Sequence, residues 1–381
     1  MTSPAETRVV LLTGTGRAAV ATLRVEGPQA VRVVDGLFHS ASGQPLEKQP
    51  EGRVLYGRWR DADEGEEVVV CRREDGAVEI HCHGGAAASA AIRDALVERG
   101  CRAVDWRQWV RDSVSDPLRA EAQLALASAP TERAALILLD QLQGALGRAV
   151  DTVIASLSAG DAASADARLE RLLGWAALGC HLTEPWKVVL AGRPNAGKSS
   201  LINALVGYER AIVHDMPGTT RDVVTAAAAV AGWPIELADT AGLRESEAAL
   251  EAEGIERAQR EAQSADLVLL VVDRSRPLEP EDEALASAFP AALRVWNKCD
   301  LPAASGRCDE GIEVSALTGD RVDELIAAIA GRLVPTAPDE GEAIPFTPDQ
   351  VEVLTAAREK LACRDVPAAM ALLATLRPAS K

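Results

Sequence analysis

The sequence predicts an α/β protein: a mostly parallel sheet wrapped by helices, inserted in a helical domain and preceded by a small α+β domain. Three observations carry this. From residue 186 to about 335, short apolar runs alternate with amphipathic stretches, the pattern of a sheet covered on both faces. Before it, Leu139, Leu142, Leu146, Val150, Val153 and Leu157 recur three or four residues apart, the spacing of one helix face. At 381 residues the chain is too long for one compact core, so two or three domains are expected.

Residues 1–107 read as the small domain, with strand-like runs at 9–12 and 20–25 around the Gly14-Thr-Gly16 turn. A helical stretch at 28–37 follows, then strands at 54–56, 68–70 and 77–81. The last runs into Cys82-His83-Gly84-Gly85 and an alanine-rich helix at 86–99. Residues 108–183 form the first part of the helical domain, with a second helix at 167–178. Thr183-Glu-Pro185 links it to the sheet domain, 186–335, with strands expected at 186–190, 235–238, 267–272, 293–296 and 312–314. A Pro-, Glu- and Gly-rich linker at 334–344 leads to the rest of the helical domain, 345–381, with a last helical stretch at 348–376.

Composition narrows the class. Apolar residues make up 48% and charged ones 25%, and no apolar run is long enough to span a bilayer. The N-terminus lacks a basic start followed by an apolar core, so no secretion signal is expected. The net charge of −17 leaves any nucleic-acid contact to a local basic patch or a partner. Seven cysteines, scattered, odd in number and without a CxxC pair, fit a reduced cytoplasmic protein.

The chemistry begins at Gly192-Arg-Pro-Asn-Ala-Gly-Lys-Ser-Ser200, between the strand at 186–190 and a helix start at 201–205. Strand, glycine-rich turn and helix is the setting of a phosphate-binding loop. Gly192 and Gly197 let the backbone curl so that N–H groups point inward, and the helix dipole adds its positive end. Asn195, Ala196, Gly197, Lys198, Ser199 and Ser200 are the expected cradle: Lys198 reaches the outer phosphates and the Ser199 hydroxyl ligates magnesium. The plain alternative is a turn that only joins two elements; all four fixed positions in the right setting weigh against it.

Other motifs name the base. Asp239-Thr-Ala-Gly242 follows a strand, where Asp239 holds magnesium through water and the Gly242 amide senses the terminal phosphate. Asn297-Lys298-Cys299-Asp300 ends another strand, and the Asp300 carboxylate can accept from guanine N1–H and the 2-amino group, donors adenine lacks. Ser315-Ala316-Leu317 offers a backbone amide to the guanine carbonyl. Thr220, in Gly218-Thr-Thr-Arg-Asp222, is the expected second magnesium ligand. Each piece alone arises by chance; together, in order and at strand ends, they specify GTP.

Hydrolysis is a separate matter. Ras-type enzymes orient water with a Gln after the DxxG glycine, and Leu243 stands there. Either the domain is inactive or it uses another group and another cation. Asn195, with carbonyls of the 214–219 segment, would complete a cage for a monovalent cation.

The chain resembles the MnmE (TrmE) tRNA-modification GTPases through GRPNAGKSSLINAL, DMPGTTRD, DTAGLRE and GIERA, in that order and spacing. ATLRVEG and VEIHCHGG resemble the family's folate-binding domain, and LDQLQGAL its central helical region, so the likeness covers nearly the whole chain. The resemblance implies a homodimer whose G domains pair in the GTP state around potassium, held by Asn195, His214, Met216 and Thr219. It implies that Lys198 and Thr219 act at the phosphates, while Glu251 orients the water through a second water. The plain alternative for Glu251 is one solvated acid among Glu245, Glu247 and Glu253 on a surface helix. The resemblance further implies that MnmG is the partner, a carboxymethylaminomethyl group on the wobble uridine of tRNA the product, and the cytoplasm the location. A reduced folate, 5-formyl- or methylene-tetrahydrofolate, would bind through Arg24 at its glutamate tail and Glu79 at its pterin.

Departures from the family are also legible. Pro117 stands where the family has Lys, Arg72-Arg-Glu-Asp-Gly76 replaces a threonine–glycine–acid loop, and the chain ends at Lys381 without a Cys-Ile-Gly-Lys motif. Cys363, alone in an apolar helix, reads as core. The nucleotide switch is therefore expected intact, and two other functions stay open: a GTP-gated regulator without tRNA chemistry, or a ribosome-assembly GTPase related to Era or Der. Against the latter, no second phosphate loop and no GxxG RNA loop occur. His81 and His83 alternate with Cys82 along a strand, so the three cannot converge on a metal.

Overall fold

The computed structural model describes residues 6–14, 18–61, 65–208, 225–239, 264–304 and 310–378. The chain forms two compact units, Met1–Ser115 and Asp116–Lys381.

In the first unit, strands β1 (Arg8–Leu11), β2 (Val20–Glu26), β3 (Phe38–Ser40), β4 (Val54–Trp59), β5 (Glu66–Arg72), β6 (Val78–His83) and β7 (Arg102–Val104) form one sheet. Its order is β3-β4-β5-β6-β2-β1-β7, antiparallel except for β1 with β7. Alternation decides which residues go inside: Ala21, Leu23 and Val25 of β2 and Val78, Ile80 and Cys82 of β6 are buried. Arg24, Glu26, Glu79 and His81 take the other face, with Arg24 directly opposite Glu79. Helices α1 (Ala30–Asp35) and α2 (Ala86–Glu98) share the core through Val34, Ile92 and Leu96, and α3 (Trp106–Ser113) starts at the Asp105 cap.

The second unit begins with α4 (Pro117–Leu126), α5 (Glu132–Leu142), α6 (Ala145–Ser158), α7 (Ala162–Gly174) and α8 (Ala176–Cys180). Its six-stranded sheet comprises β8 (Trp186–Ala191), β9 (Thr225–Val230), β10 (Trp233–Asp239), β11 (Leu267–Asp273), β12 (Leu293–Asn297) and β13 (Ile312–Glu313). The order is β13-β12-β11-β8-β10-β9, all parallel but the edge strand β9. Around the sheet lie α9 (Lys198–Tyr208), α10 (Pro280–Ala288) and α11 (Val322–Leu333). The chain then returns to the helical layer as α12 (Pro348–Ala362) and α13 (Val366–Thr375). Arg358 pairs with Asp166 on α7 at 2.9 Å, and Arg377 with Asp151 on α6 at 2.7 Å, so segments on both sides of the sheet domain complete one helical layer. One apolar cluster runs from Leu138, Val150, Leu169 and Leu354 into Val188, Leu201 and Val271 of the sheet domain.

Several elements differ from the sequence expectation. The stripe from Leu139 to Leu157 is two helices, broken at Gly144, whose φ of +93° suits glycine. The buried face of α5 is Ala134, Leu138 and Gln141, and Leu139 is exposed. The expected helices at 167–178 and 348–376 are each split in two. Strand β9, Thr225-Ala-Ala-Ala-Ala-Val230, escaped prediction because alanine carries no strand signal; pairing with β10 makes it one. Cys363 is exposed at the end of α12 and is not core, because the helix stops there before the positive-φ Arg364. The six cysteines among the described residues are unpaired, and no described helix is long and apolar enough to cross a membrane.

Candidate functional site

The carboxyl ends of β8, β10, β11 and β12 lie along one edge of the sheet and carry Gly192, Asp239, Asp273 and Asn297 in or just after them. The loop after β8 turns through Asn195, with φ +63°, and Gly197, with φ +94°, into α9. A Cβ on Gly197 would run into the Asn297 amide, so glycine is required both by the backbone angle and by the close approach. Lys198 is buried and donates to the carbonyls of Gly192 at 2.7 Å and Arg193 at 3.0 Å. Ser199 Oγ donates to Asp239 Oδ2 at 2.7 Å. The hydroxyl and carboxylate expected to serve one magnesium ion thus meet, although they are 40 positions apart in sequence.

The loops that follow β12 and β13 are tied to this loop by the Asn297 amide and the Lys298 ammonium. Asn297, 1% exposed, donates from Nδ2 to the Ala196 carbonyl at 2.9 Å and accepts at Oδ1 from the Ala316 amide at 3.0 Å. Both ends of its amide therefore bridge loops. Lys298 donates to the Asn195 carbonyl at 2.9 Å and to Asp273 Oδ2 at 2.6 Å. Burial alone would raise the Asp273 carboxyl, but hydrogen bonds from Lys298 and Ser275 outweigh it and hold the group below the usual carboxylate range. Asp300 is exposed, with Oδ1 accepting from the buried Ser315 hydroxyl at 2.6 Å. Ser200 is exposed on the first turn of α9.

Sequence reasoning missed the supports behind these loops. Arg193 is held by Glu279 at 2.7 Å, Glu281 at 3.1 Å and Asp282 at 3.4 Å, at the start of α10. Neither this nor the Lys298–Asp273 pair has a local signal, apart from an acid at the end of an apolar strand. Thr219, Thr220, His214, Met216, Gly242, Leu243 and Glu251 lie outside the described residues.

The structure brings Arg24 and Glu79 together across β2 and β6, at 3.2 Å, but within an ion cluster. Arg24 also pairs with Glu26 at 3.4 Å and with Asp75, and its guanidinium lies 5.8 Å from the Trp109 ring centre. Burial would lower the Arg24 pKa, but Asp75 and Glu26 outweigh it and raise the value. Arg73 and His81 approach Glu79 at 3.6 and 4.0 Å, and Thr22 Oγ1 is 2.9 Å from His81 Nδ1. Cys82 is buried and His83 exposed, and no metal-holding cluster occurs among the described residues.

An open α/β sheet with a lysine-bearing glycine loop, a hydrogen-bonded Ser199–Asp239 pair and an NKxD loop at one edge defines a P-loop GTPase domain that takes GTP or GDP with magnesium. Known proteins agree. The family described as "50S ribosome-binding GTPase" matches residues 187–298, and that described as "GTP-binding protein TrmE N-terminus" matches residues 7–105. The tRNA modification GTPase MnmE of Geobacillus kaustophilus is 35% identical over 378 residues, covering 85% of this chain and 81% of its own. Its namesake in Methylorubrum populi is 39% identical over 370 residues, covering 86% and 80%. That of Symbiobacterium thermophilum is 33% identical over 407 residues, covering 93% and 88%. The chain belongs to the MnmE (TrmE) family of tRNA modification GTPases.

Proposed function

We propose that this chain is the GTP-hydrolysing switch of a tRNA-modification system, a homodimer that works with MnmG to place a carboxymethylaminomethyl group on wobble uridine. One observation carries the nucleotide part: Ser199 Oγ lies 2.7 Å from Asp239 at the mouth of a loop whose far side is tied to the base-reading segments by Asn297. Ser199 directly, and Asp239 through water, would hold magnesium, which supplies positive charge to the phosphates when bound. Lys198, which donates to the Gly192 and Arg193 carbonyls, would neutralise the outer phosphates. Asp300 would select guanine through two donors, with its carboxylate oriented by Ser315.

Stimulation by potassium is part of the proposal. Asn195 is exposed at the turn of the loop, and Lys298 pins its carbonyl at 2.9 Å. That fixed backbone supports a side-chain oxygen offered to a monovalent cation. GTP turnover in potassium and in sodium, for wild type and Asn195→Ala, tests it. A rate gain that needs both potassium and Asn195 is expected, and equal slow rates in both salts would remove the cation mechanism.

A specific observation favours a second reading, a GTP-gated regulator without the tRNA chemistry. Arg24 is ringed by Glu26, Asp75 and Glu79, so it presents no unpaired cation to the glutamate tail of a reduced folate, and the arrangement does not fit that ligand. Nucleoside analysis of tRNA from a strain lacking the gene separates the readings: loss of the wobble modification supports the first, an unchanged tRNA the second.

A further inference from the structure

We propose that Arg274 is a positioning residue for guanine selection, acting through the backbone on either side of Asp300. It rests on the reading of Asp300 as the guanine acceptor. Arg274 follows the last residue of β11, at the nucleotide edge of the sheet, and its side chain is 16% exposed. Nη1 donates to the Leu301 carbonyl at 2.8 Å and to the Cys299 carbonyl at 3.3 Å, the carbonyls of the residues before and after Asp300. The backbone of Arg274 joins the same assembly. Its N–H donates to the Asn297 carbonyl at 2.9 Å, and its carbonyl accepts from the Ala304 amide at 3.1 Å.

The guanidinium is itself anchored. Glu313 on β13 lies 3.5 Å from Arg274 Nε and is shared with Arg321 at 3.6 Å. The segment from Asn297 to Ala304 therefore closes around one side chain, with Asp300 at its crest.

The geometry has a chemical consequence. An exposed aspartate reads two donors on a purine edge only if its carboxylate stays in the plane of those donors. Ser315 fixes one oxygen at 2.6 Å. The Cα that carries the carboxylate lies between two residues, Cys299 and Leu301, whose carbonyls the guanidinium holds. Nη1 takes both carbonyls while Nε faces Glu313, so a lysine, with one nitrogen, gives up the Glu313 contact that orients the group.

Inosine nucleotides separate positioning from folding, because they lack the 2-amino group and keep everything else. The full chain, in wild-type, Arg274→Ala and Arg274→Lys forms, is titrated with GDP and IDP by displacement of a fluorescent guanine nucleotide, with thermal unfolding as the fold control. Wild type is expected to prefer GDP over IDP by at least about tenfold. Both variants are expected to lose GDP affinity about tenfold while IDP, which keeps only the N1–H donor, falls by less, so the ratio contracts toward one. Equal weakening of GDP and IDP would make Arg274 a merely structural residue and overturn the proposal, as would full recovery of the ratio by Arg274→Lys. A wild type that binds GDP and IDP alike would instead remove the reading of Asp300, and this inference with it.

Discussion

The nucleotide edge of the sheet domain and the β2–β6 face of the first unit both gather charged residues, and they treat them differently. On β2–β6 charge meets charge: one arginine, 14% exposed, sits among three carboxylates. At the nucleotide edge, the groups expected to meet ligand are fixed mostly by neutral partners. Ser315 holds Asp300, backbone carbonyls hold Lys198, and the Asn297 amide holds the loops. The ion pairs there, Lys298–Asp273 and Arg193 with its three acids, lie behind the binding groups. Groups held by neutral partners keep their charge for a ligand, whereas an arginine already paired with carboxylates offers little positive charge to a solute.

This contrast can be broken at either end. The largest effect is expected for Lys198→Ala, which should lower GTP turnover at least about a hundredfold, while the mid-point of thermal unfolding moves little. A comparable rate in the variant would deny Lys198 its phosphate role. Gly197→Ala comes next. The new methyl meets the Asn297 amide at a backbone angle unfavourable to alanine, and a cost of about 1–3 kcal/mol with weakened nucleotide binding is expected. Unchanged GDP affinity by calorimetry would show that the loop tolerates the displacement.

On the other face, Arg24→Met leaves three carboxylates without their shared cation. Unfolding in urea should show a loss of about 1–3 kcal/mol, with GDP affinity unchanged. A fall in GDP affinity instead would show that the two regions are not independent. The smallest effect concerns pH. Because the folded Asp273 carboxyl lies below its ordinary value, its contribution is present above about pH 4 and fades as the pH falls through the folded value. The stability difference between wild type and Asp273→Asn should therefore be steady from pH 7 to pH 5 and shrink in more acid solution. A difference that grows on acidification would reverse the sign of this argument.

The sequence made the nucleotide edge readable because its chemistry is written in short contiguous runs. Gly192 to Ser200, Asp239 to Gly242 and Asn297 to Asp300 each carry their own spacing. The supports were not readable, since their partners are remote: Arg193 meets Glu281 across 88 positions and Arg274 meets Cys299 across 25. In the first unit, the family resemblance singled out Arg24 and Glu79, but nothing local announced that Asp75 and Glu26 would join them. Cys363 misled for the opposite reason. Its apolar neighbours suggested a continuous buried helix, and the break at Arg364 turns the thiol outward.

Guanine selection by Asp300 is the claim on which the nucleotide account stands. Its most direct test is turnover of GTP and of xanthosine triphosphate by wild type and Asp300→Asn. An asparagine presents a donor where the carboxylate accepted, which suits the 2-oxo group of xanthine in place of the 2-amino group of guanine. The account predicts that GTP turnover at low substrate falls at least about tenfold and that xanthosine triphosphate becomes the better substrate. Undiminished GTP turnover, with no gain for xanthosine triphosphate, would contradict it.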